Sequence, residues 1–585
     1  MAGIGIASVC GGAGTCGQCR VVVHQGDVSP PGPEEKELLN AGELEKGYRL
    51  ACCTFPRGDL KVHVPERSLV TGVRLQLESI LKHVAVDPMV EALDLRVEEA
   101  TLEDPRADLN RIMDGLSDQH GLKGLKADVA AVRELSSLLR KEDWQTTACV
   151  RSGEIIGFLP RGAHPAGLAV DIGTTKIAGY LLDLVTGEEL SSSGAVNPQT
   201  MYGEDVMSRL YYAIQNTKSA EPGPALSKII REKLDQLLGE LTEKAGISPA
   251  QVADICIAGN TAMTHLLLDL PVRQLAGSPY VASTNSAMDV RARDLGLKAS
   301  PGAYAHILPG IGGFVGADHV AMILATDIDR ARGVTVGVDI GTNTEIVISK
   351  NNGADLISVA CPSGPAFEGA HVSDGMRAAR GAIESIRLTG KGVDYKTIGD
   401  APPIGLCGSG IIDAVAELYL WDLIDARGRF RKTDPRVRKG SRGSEFQLVS
   451  NPDNSDENGV VITQKDIDEI QLAKGAIRAG IDVLLDVTDT RPEMIAEVVI
   501  AGAFGSYINL INTIHIGMIP HFPHAGYRQV GNAAAVGAKM ALISRAERDR
   551  ARDIAARTRY VELTTYPGFN RMFALGMMFP QDGRG

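Results

Sequence analysis

Two distant segments of the chain share one strand-turn-strand pattern. Gly167–Tyr180 reads GLAVDIGTTKIAGY and Thr335–Ile348 reads TVGVDIGTNTEIVI, so each places Asp-Ile-Gly-Thr between two apolar strands. A second pair of similar segments follows, one after each copy: Ile255–Thr264 and Val499–Ser506 are both apolar strands that run into an Ala-Gly turn. Self-similarity of this kind is typical of a repeated structural unit. The pattern therefore predicts two copies of one α/β unit.

The Asp-Ile-Gly-Thr turns have the chemistry of a phosphate site. Glycine has no Cβ to block a close approach, so the backbone N–H groups and threonine hydroxyls of such a turn can face a phosphate. Asp171 and Asp339, at the strand ends, can hold Mg²⁺ through water, and two turns on opposite lobes can clamp a triphosphate. Ordinary hairpins are the alternative interpretation. The candidate nucleotide-binding residues are Gly173, Thr174, Thr175, Lys176, Gly341, Thr342, Asn343 and Thr344.

The chain has nine cysteines, and five of them lie within its first 53 residues. Cys10, Cys16 and Cys19 fall in CGGAGTCGQC, and Cys52 and Cys53 fall in YRLACC. Three thiolates from one glycine-rich loop plus one distant thiolate are the ligand arrangement of a plant-type 2Fe-2S cluster. Adjacent cysteines in an extended segment point to opposite faces, so one of the last two should be dispensable. A zinc site or free thiols are the alternatives.

Charge and hydropathy exclude several classes of function. The net charge is -12 and no Lys/Arg-rich run is present, so nucleic acid is not an expected partner. No apolar run approaches the 18–20 residues or so that span a bilayer, and the N-terminus lacks the basic region of a signal peptide. A P-loop ATPase is disfavoured because no Walker A sequence occurs. We therefore expect a cytoplasmic protein that does not enter a membrane.

Changes in amino-acid composition along the sequence divide the chain into three domains. We predict a cysteine-bearing domain at 1–67, a linker and middle domain at 68–162, and a nucleotide-binding domain at 163–585 with lobes at about 163–332 and 333–585. Apolar residues at helical spacing predict a helix over Leu125–Arg140. Three polar stretches without periodicity, 197–205, 273–300 and 432–458, are predicted to be loops or insertions.

The cysteine-rich region carries a specific family resemblance. CGGAGTCGQCRVVV, GDVSPPGPEEKELL, EKGYRLACC and the closing YPGFNRMFALGMMFP together resemble the reductive activators of corrinoid proteins. The resemblance makes Cys52 the fourth cluster ligand after Cys10, Cys16 and Cys19. It also implies more chain before the first cysteine, whereas nine residues precede Cys10 here, so an N-terminally truncated ferredoxin domain is expected.

The same resemblance implies a multidomain α/β and α+β architecture. Its parts are a partial β-grasp, ferredoxin-like 2Fe-2S domain, a small α/β middle domain that forms a homodimer, and a duplicated actin/Hsp70-like (ribonuclease H-like) ATPase domain. The two Asp-Ile-Gly-Thr turns resemble the phosphate motifs of the acetate kinase, sugar kinase, Hsp70 and actin superfamily. Ile500–Gly505 resembles its adenosine motif, which assigns Gly502 and Ala503 to the nucleotide. Helix N–H groups at Gly408, Ser409 and Gly410 could join this site, although a plain helix start explains them equally well.

The function implied is ATP-dependent reductive activation of a corrinoid-containing methyltransferase protein. One electron would pass from the 2Fe-2S cluster to Co(II) to give Co(I), with a low-potential ferredoxin or flavoprotein as donor. Asp171 and Asp339 would position Mg²⁺ and the attacking water, and Ser363, in the loop Cys361–His371, could approach the corrinoid or merely form a turn. The alternatives are a donor to another low-potential enzyme, a nucleotide-binding redox sensor, and a sugar or acid kinase.

Overall fold

The computed structural model describes residues 6, 14, 17, 19–65, 68, 84–203, 205–217, 225–390, 392–431, 434–440, 442–450, 459–502 and 508–581. Within these ranges, no helix combines the length and the apolar character needed to cross a membrane. Cys10, Cys16 and Ala503, all named above, lie outside the described residues.

The first described unit is a small antiparallel sheet with two short helices. Its strands are β1 (Arg20–Gln25), β2 (Tyr48–Leu50) and β3 (Lys61–His63), in the order β2-β1-β3, and its helices are α1 (Pro33–Leu38) and α2 (Ala41–Glu45). Asn40 caps α2 by accepting a hydrogen bond from the N–H of Glu43. Cys19, Leu39 and Leu50 form the buried centre of this unit.

The second unit is an α/β layer. Its elements are β4 (Val90–Arg96), α3 (Asp108–His120), β5 (Lys126–Ala127), α4 (Val129–Lys141), β6 (Gln145–Arg151) and β7 (Glu154–Leu159), with strand order β4-β6-β7-β5. The helix predicted over 125–140 is confirmed as α4, which begins at the Asp128 cap. Leu135 and Leu139 of its apolar stripe are buried within the unit's own core. Val129, at the start of the stripe, is 63 % exposed, so the stripe is only partly covered within this chain and the predicted homodimer stays a prediction.

The third unit is a mixed six-stranded sheet with helices. It contains β8 (Ala166–Ile172), β9 (Lys176–Asp183), β10 (Glu189–Val196), α5 (Val206–Asn216), α6 (Leu226–Ala245), β11 (Val252–Gly259), α7 (Thr261–Leu268), β12 (Met288–Arg291), β13 (Tyr304–Ile307) and α8 (Ala317–Thr326). The strand order is β10-β9-β8-β11-β13-β12. β11 is buried along its whole length, as expected for a central strand covered on both faces.

The fourth unit has a second six-stranded sheet at its centre. Its elements are β14 (Val334–Ile340), β15 (Thr344–Lys350), β16 (Asp355–Cys361), β17 (Ala382–Thr389), β18 (Gly392–Thr397), β19 (Gly405–Leu406), α9 (Gly408–Leu420), β20 (Val437–Gly440), β21 (Gly443–Val449), β22 (Val460–Thr463), α10 (Gln464–Val487), β23 (Ile495–Ala501), α11 (Leu510–His515), β24 (Gly526–Gln529), α12 (Ala533–Ile543), α13 (Arg545–Arg557), β25 (Thr558–Tyr560) and α14 (Phe569–Met577). The central sheet runs β24-β23-β14-β15-β16-β25.

The two six-stranded sheets have equivalent topology. β10-β9-β8-β11-β13 in the first corresponds to β16-β15-β14-β23-β24 in the second, with the first three strands antiparallel and the following pairings parallel in both. The predicted duplication and the predicted fold class are therefore confirmed. The helix that follows the last parallel strand is α8 in one copy and α12 in the other, and these helices pack against each other in a shared core.

Two of the predicted loop regions contain strands. β20 and β21 form an antiparallel hairpin inside 432–458, and β12 pairs with β13 inside 273–300. The prediction was wrong there because these strands lie at sheet edges or in a small separate sheet, where side chains on the open face stay polar and the alternation of apolar residues is weak.

Candidate nucleotide cleft and cysteine cluster

A cleft of about 950 Å³, counting space open to solvent, lies between the two lobes. Both Asp-Ile-Gly-Thr turns line it, since they follow the equivalent strands β8 and β14 at the same edge of each sheet. The predicted residues that the structure brings together here are Asp171, Gly173, Thr174, Thr175, Lys176, Asp339, Gly341, Thr342, Asn343 and Gly502. The volume is in the range of small-molecule sites, and the lining combines hydroxyls, amides and carboxylates.

The two turns contact each other directly across the cleft. The hydroxyl oxygens of Thr175 and Thr342 lie 3.1 Å apart in a buried hydrogen bond. Thr174 accepts a hydrogen bond of 3.0 Å from the Asn260 side chain, and the Asn197 side chain donates to the carbonyl of Gly173 at 2.9 Å. These bonds hold the first turn in place, so its hydroxyls are fixed in position before any ligand arrives.

Gly502 follows β23 and approaches the second turn closely. Its φ is +96°, and a Cβ at this position would lie 2.3 Å from the carbonyl oxygen of Ile340 and 2.8 Å from Oδ1 of Asp339. Glycine is required for both reasons, the positive φ and the close backbone approach. This residue brings the end of β23 against the strand that carries Asp339.

Besides Glu368, four carboxylates that interact electrostatically with one another line the cleft. They belong to Asp171, Asp318, Asp339 and Glu345. Burial raises the pKa of Asp171 to about 6 and, with repulsion from Asp171, that of Asp339 to about 7. Burial and the neighbouring carboxylates likewise raise the pKa values of Asp318 and Glu345. Removal from water and mutual repulsion both disfavour the charged forms, so the site would gain stability from a bound cation.

The donor set fits Mg²⁺ bound together with phosphates. Among the described residues, no three His, Cys, Asp or Glu side chains already stand in the geometry of a complete metal site. Mg²⁺ in nucleotide sites is usually held by one or two carboxylates, waters and the phosphates themselves, so a preformed protein cage is not needed. Asp171 and Asp339 face the cleft from the two lobes and are the residues placed to do this.

Sequence reasoning missed several residues that the fold adds to the cleft. Asn532 donates from its side chain to Oδ2 of Asp171 at 2.8 Å and also caps α12. Asp318 lies in the first turn of α8, the equivalent helix. The available signal was the pair Gly316-Ala317-Asp318 and Gly531-Asn532-Ala533, each a helix start after a strand of the repeat. Glu345, Glu368 and Asn260 carried no such signal.

Other predicted residues lie outside the lining of the cleft. The hydroxyl of Thr344 bonds that of Ser363 at 2.9 Å, and Ser363, 5 % exposed, also donates to the carbonyl of Thr342 at 3.4 Å. Ser363 therefore supports the second turn from behind in this conformation. Gly408, Ser409 and Gly410 begin α9, where the Ser409 hydroxyl donates to the carbonyl of Glu384 at 2.7 Å. They pack against β17 rather than facing the cleft.

The cysteine region brings three of the candidate thiols together. Sγ of Cys19 lies 3.3 Å from Sγ of Cys52, and Sγ of Cys53 lies 3.5 Å from that of Cys52. Residues 51–53 form a turn, so the expectation that they are extended, with side chains on opposite faces, was wrong. In a turn, successive side chains need not alternate, and both thiols stay beside the loop.

A buried ion pair fixes the turn that carries Cys52. Glu35 on α1 is fully buried and accepts hydrogen bonds from Arg49 at 2.9 and 2.7 Å and from the N–H of Leu50 at 3.0 Å. Burial alone would raise the pKa of Glu35, but the bonds from Arg49, Leu50 and Gly32 outweigh it and hold the pKa below the usual value. Because Glu35 lies on α1 and Arg49 lies just before the cysteine turn, this ion pair links the position of α1 to that of Cys52.

Family models match almost the whole chain. A model described as the C-terminal domain of RACo, the ASKHA domain, matches residues 333–584, and one described as the RACo middle region matches 166–331. A RACo linker region matches 79–164, and a 2Fe-2S iron-sulfur cluster binding domain matches 1–57.

Individual proteins give the same result. The corrinoid activation enzyme RamQ of Eubacterium limosum is 30% identical over 99% of this chain and 94% of the relative. The Co(II) methylated amine-specific corrinoid protein reductase of Methanosarcina barkeri is 24% identical over 71% of this chain and 77% of its own. A solved structure, the reductive activator for corrinoid,iron-sulfur protein, has a TM-score of 0.75 at 34% identity, covering 99% of this chain and 94% of its own.

Proposed function

The chain belongs to the family of reductive activators of corrinoid proteins, and we propose that it uses ATP to drive one electron from an N-terminal 2Fe-2S cluster to the Co(II) corrinoid of a partner protein. The product is the Co(I) form that accepts a methyl group. The observation that carries this proposal is the meeting of two phosphate-type turns across one cleft, in a chain that also contains a ferredoxin unit.

ATP has a physical role in such a reaction because the electron transfer is unfavourable. A plant-type cluster has a potential of roughly -400 mV, and the corrinoid couple in its resting ligation lies lower by the family resemblance. ATP can help only by changing the relative stability of two conformations of the complex. We propose the cleft between the lobes, which the Thr175–Thr342 hydrogen bond spans, as this two-state element.

Each group of cleft residues is assigned a role from its chemistry. We assign the phosphates to the hydroxyls and N–H groups of the two turns, with Lys176 as a cation from the first lobe. Asp171 and Asp339 are placed to orient the attacking water and would hold Mg²⁺, which would neutralise charge on the phosphates. Gly502 and Ala503 take the adenosine side. Ser363 is retained as a candidate to approach the corrinoid, which requires the segment around it to move.

The ferredoxin unit provides the ligands for electron storage. We propose Cys10, Cys16, Cys19 and Cys52 as the cluster ligands, and the 3.3 Å separation of the last two sulfurs supports their shared role. A reduced 2Fe-2S cluster held by these residues would supply the electron. Glu35 and Arg49 hold the Cys52 turn at a fixed distance from the loop that bears Cys19.

The partners follow from this chemistry. We propose a corrinoid-containing methyltransferase protein as acceptor and a low-potential ferredoxin or flavoprotein as donor, all in the cytoplasm. The domain division at 67 and 162, with a lobe boundary near 332, and a homodimer through the 68–162 region remain our proposals. Sedimentation of the full chain at micromolar concentration checks the dimer, which a monomeric mass would contradict.

The deciding experiment substitutes Asp339 in the cluster-loaded protein. Asp339→Ala removes a group that orients water and holds Mg²⁺, so we expect ATP hydrolysis and ATP-dependent Co(I) formation to fall together by about a hundredfold. Cluster content and its chemical reduction should persist. Asp355→Ala, an exposed aspartate on β16, is the matched control and should leave both rates unchanged. Loss of ATP hydrolysis with intact corrinoid reduction would contradict the proposed coupling of ATP hydrolysis to electron transfer.

A further inference from the structure

The segment 361–376 connects the nucleotide cleft with the ferredoxin unit. Its Glu368 side chain lines the cleft, and its residues His371–Met376 line a second cavity that Gly17, Arg20 and Leu38 of the ferredoxin unit close from the other side. Gly17 lies between Cys16 and Cys19 in the sequence. One stretch of backbone thus borders the phosphate-type turns at one end and, at the other, the crevice that the ferredoxin unit closes.

At the cleft, Glu368 is bonded to the second turn. The hydroxyl of Thr342 donates to Oε1 of Glu368, and Glu368 also favours the charged form of Lys176 from the opposite lobe, opposing the burial that lowers the pKa of this lysine. The carboxylate therefore occupies a hydrogen-bonding position and an electrostatic position that a phosphate at the same turn would take. Two anions cannot share these partners without strong repulsion.

Beyond Glu368 the segment is compact and packed on itself. Gly369 has a φ of +80°, and a Cβ on it would lie 2.5 Å from the N atom of Met376, while a Cβ on Gly375 would lie 2.1 Å from the carbonyl of Gly369. The N–H of Met376 donates to the carbonyl of Leu406 at 2.8 Å. With so little free space, a shift at Glu368 must carry residues 369–376 with it rather than dissipate.

The far side of the segment meets the ferredoxin unit across a polar crevice. The crevice measures about 1260 Å³, counting space open to solvent. Arg442 lies 3.5 Å from Asp374 on its wall, and Arg20, opposite, pairs with Glu43 of α2.

We propose that Glu368 is a positioning residue that couples nucleotide binding to the placement of the ferredoxin unit. Phosphates bound at the Thr342 turn displace the Glu368 carboxylate, and the segment 361–376 shifts against the wall formed by Gly17, Arg20 and Leu38. The inference rests on the proposed function in one respect, since it requires that the cleft bind ATP. It adds the route by which ATP binding reaches the region of the cluster and of Ser363.

The test measures backbone amide exchange over 361–376 in the full-length, cluster-loaded protein, with and without Mg²⁺ and a non-hydrolysable ATP analogue. In the wild type we expect the analogue to change exchange over this segment and over 34–50. In Glu368→Gln the amide still accepts from Thr342 but no longer repels phosphate. We therefore expect about fivefold tighter analogue binding and loss of the exchange change over 361–376 and 34–50.

Two further variants keep the test decisive. Thr342→Ser retains the donor and should respond as the wild type does, whereas Thr342→Val should lose the response at saturating analogue. Glu497→Gln, a surface carboxylate paired with Arg528, is the matched control and should change nothing.

The failure of the inference and that of the proposed function look different. If Glu368→Gln binds the analogue and shows the wild-type exchange change, the inference is overturned while ATP binding stands. If this variant keeps the exchange change but loses hydrolysis, Glu368 acts on the reacting water instead, and the coupling role is again wrong. If the wild type binds no nucleotide at all, both the proposed function and the inference are wrong.

Discussion

Thr175 and Thr342 form a hydrogen bond between equivalent turns of the two lobes, with their hydroxyl oxygens 3.1 Å apart. The cleft around it is also lined by carboxylates, so this bond is a contact between neutral groups beside charged ones. A ligand with phosphate oxygens can replace it on both sides at once. We propose that this bond marks the position where nucleotide binding would be coupled to closure of the lobes.

The energy of this contact can be isolated with a double-mutant cycle. Thr175→Val should lower the free energy of unfolding of the two-lobed region by about 1 kcal/mol, and Thr342→Val should lower it further, because the Thr342 hydroxyl also donates to Glu368. Because either substitution removes the same bond, the double variant should cost clearly less than the sum of the two. Urea unfolding without nucleotide measures this. Strictly additive losses would show that the two hydroxyls do not interact in solution.

The buried carboxylates predict an unusual dependence of stability on pH. The pKa of Asp339 is about 7 in the folded chain and near 3.8 when unfolded, so the folded state holds a proton that the unfolded state has released between these values. Stability contributed by this group therefore falls as pH rises from about 4 to 7. The free energy of unfolding of Asp339→Asn should exceed that of the wild type by about 1 kcal/mol or more at pH 8, and this excess should be clearly smaller at pH 5.

The control for this pH effect is Asp355→Asn, because Asp355 is exposed at the far end of β16. Its difference from the wild type should not vary with pH. A constant difference between Asp339→Asn and the wild type from pH 5 to pH 8 would show that Asp339 ionises normally.

The cysteine substitutions separate the two neighbouring thiols. Cys53→Ser should retain the 2Fe-2S absorption and electron paramagnetic resonance signals, while Cys52→Ser should lose most of them. Because Sγ of Cys53 lies 3.5 Å from that of Cys52, a small residual cluster in Cys52→Ser should vanish in the double variant. The opposite ranking of the single variants would mean that Cys53 is the fourth ligand.

The neighbours Glu34 and Glu35 make a matched pair on α1. Glu35 is fully buried against Arg49, and Glu34 is exposed. Glu35→Ala leaves a buried guanidinium without its partner, a loss of about 3–5 kcal/mol, so the ferredoxin unit should lose cluster at lower temperature or lower urea concentration. Glu34→Ala should behave as the wild type. Equal cluster stability in both variants would contradict the structural role of the Glu35–Arg49 pair.

The sequence predicted the features that depend on local chemistry. The duplicated Asp-Ile-Gly-Thr turns, the glycine at position 502 and the helix α4 all follow from patterns within a few residues. The residues that a turn, a close backbone approach or an apolar helix face requires lie within a few positions of one another in the sequence. The duplication then predicted that Asp171 and Asp339 would face each other, because equivalent strands end at equivalent edges.

Tertiary structure alone decided which distant side chains complete the site. Glu368 reaches Thr342 from a different loop, and Asn532 reaches Asp171 across 361 positions of sequence. Ser363 faces Thr344 instead of the surface, and Cys53 stays beside Cys52 because the backbone turns there. These outcomes depend on how the lobes and loops pack, and packing sums many weak contacts between residues far apart in the chain, which no local pattern records.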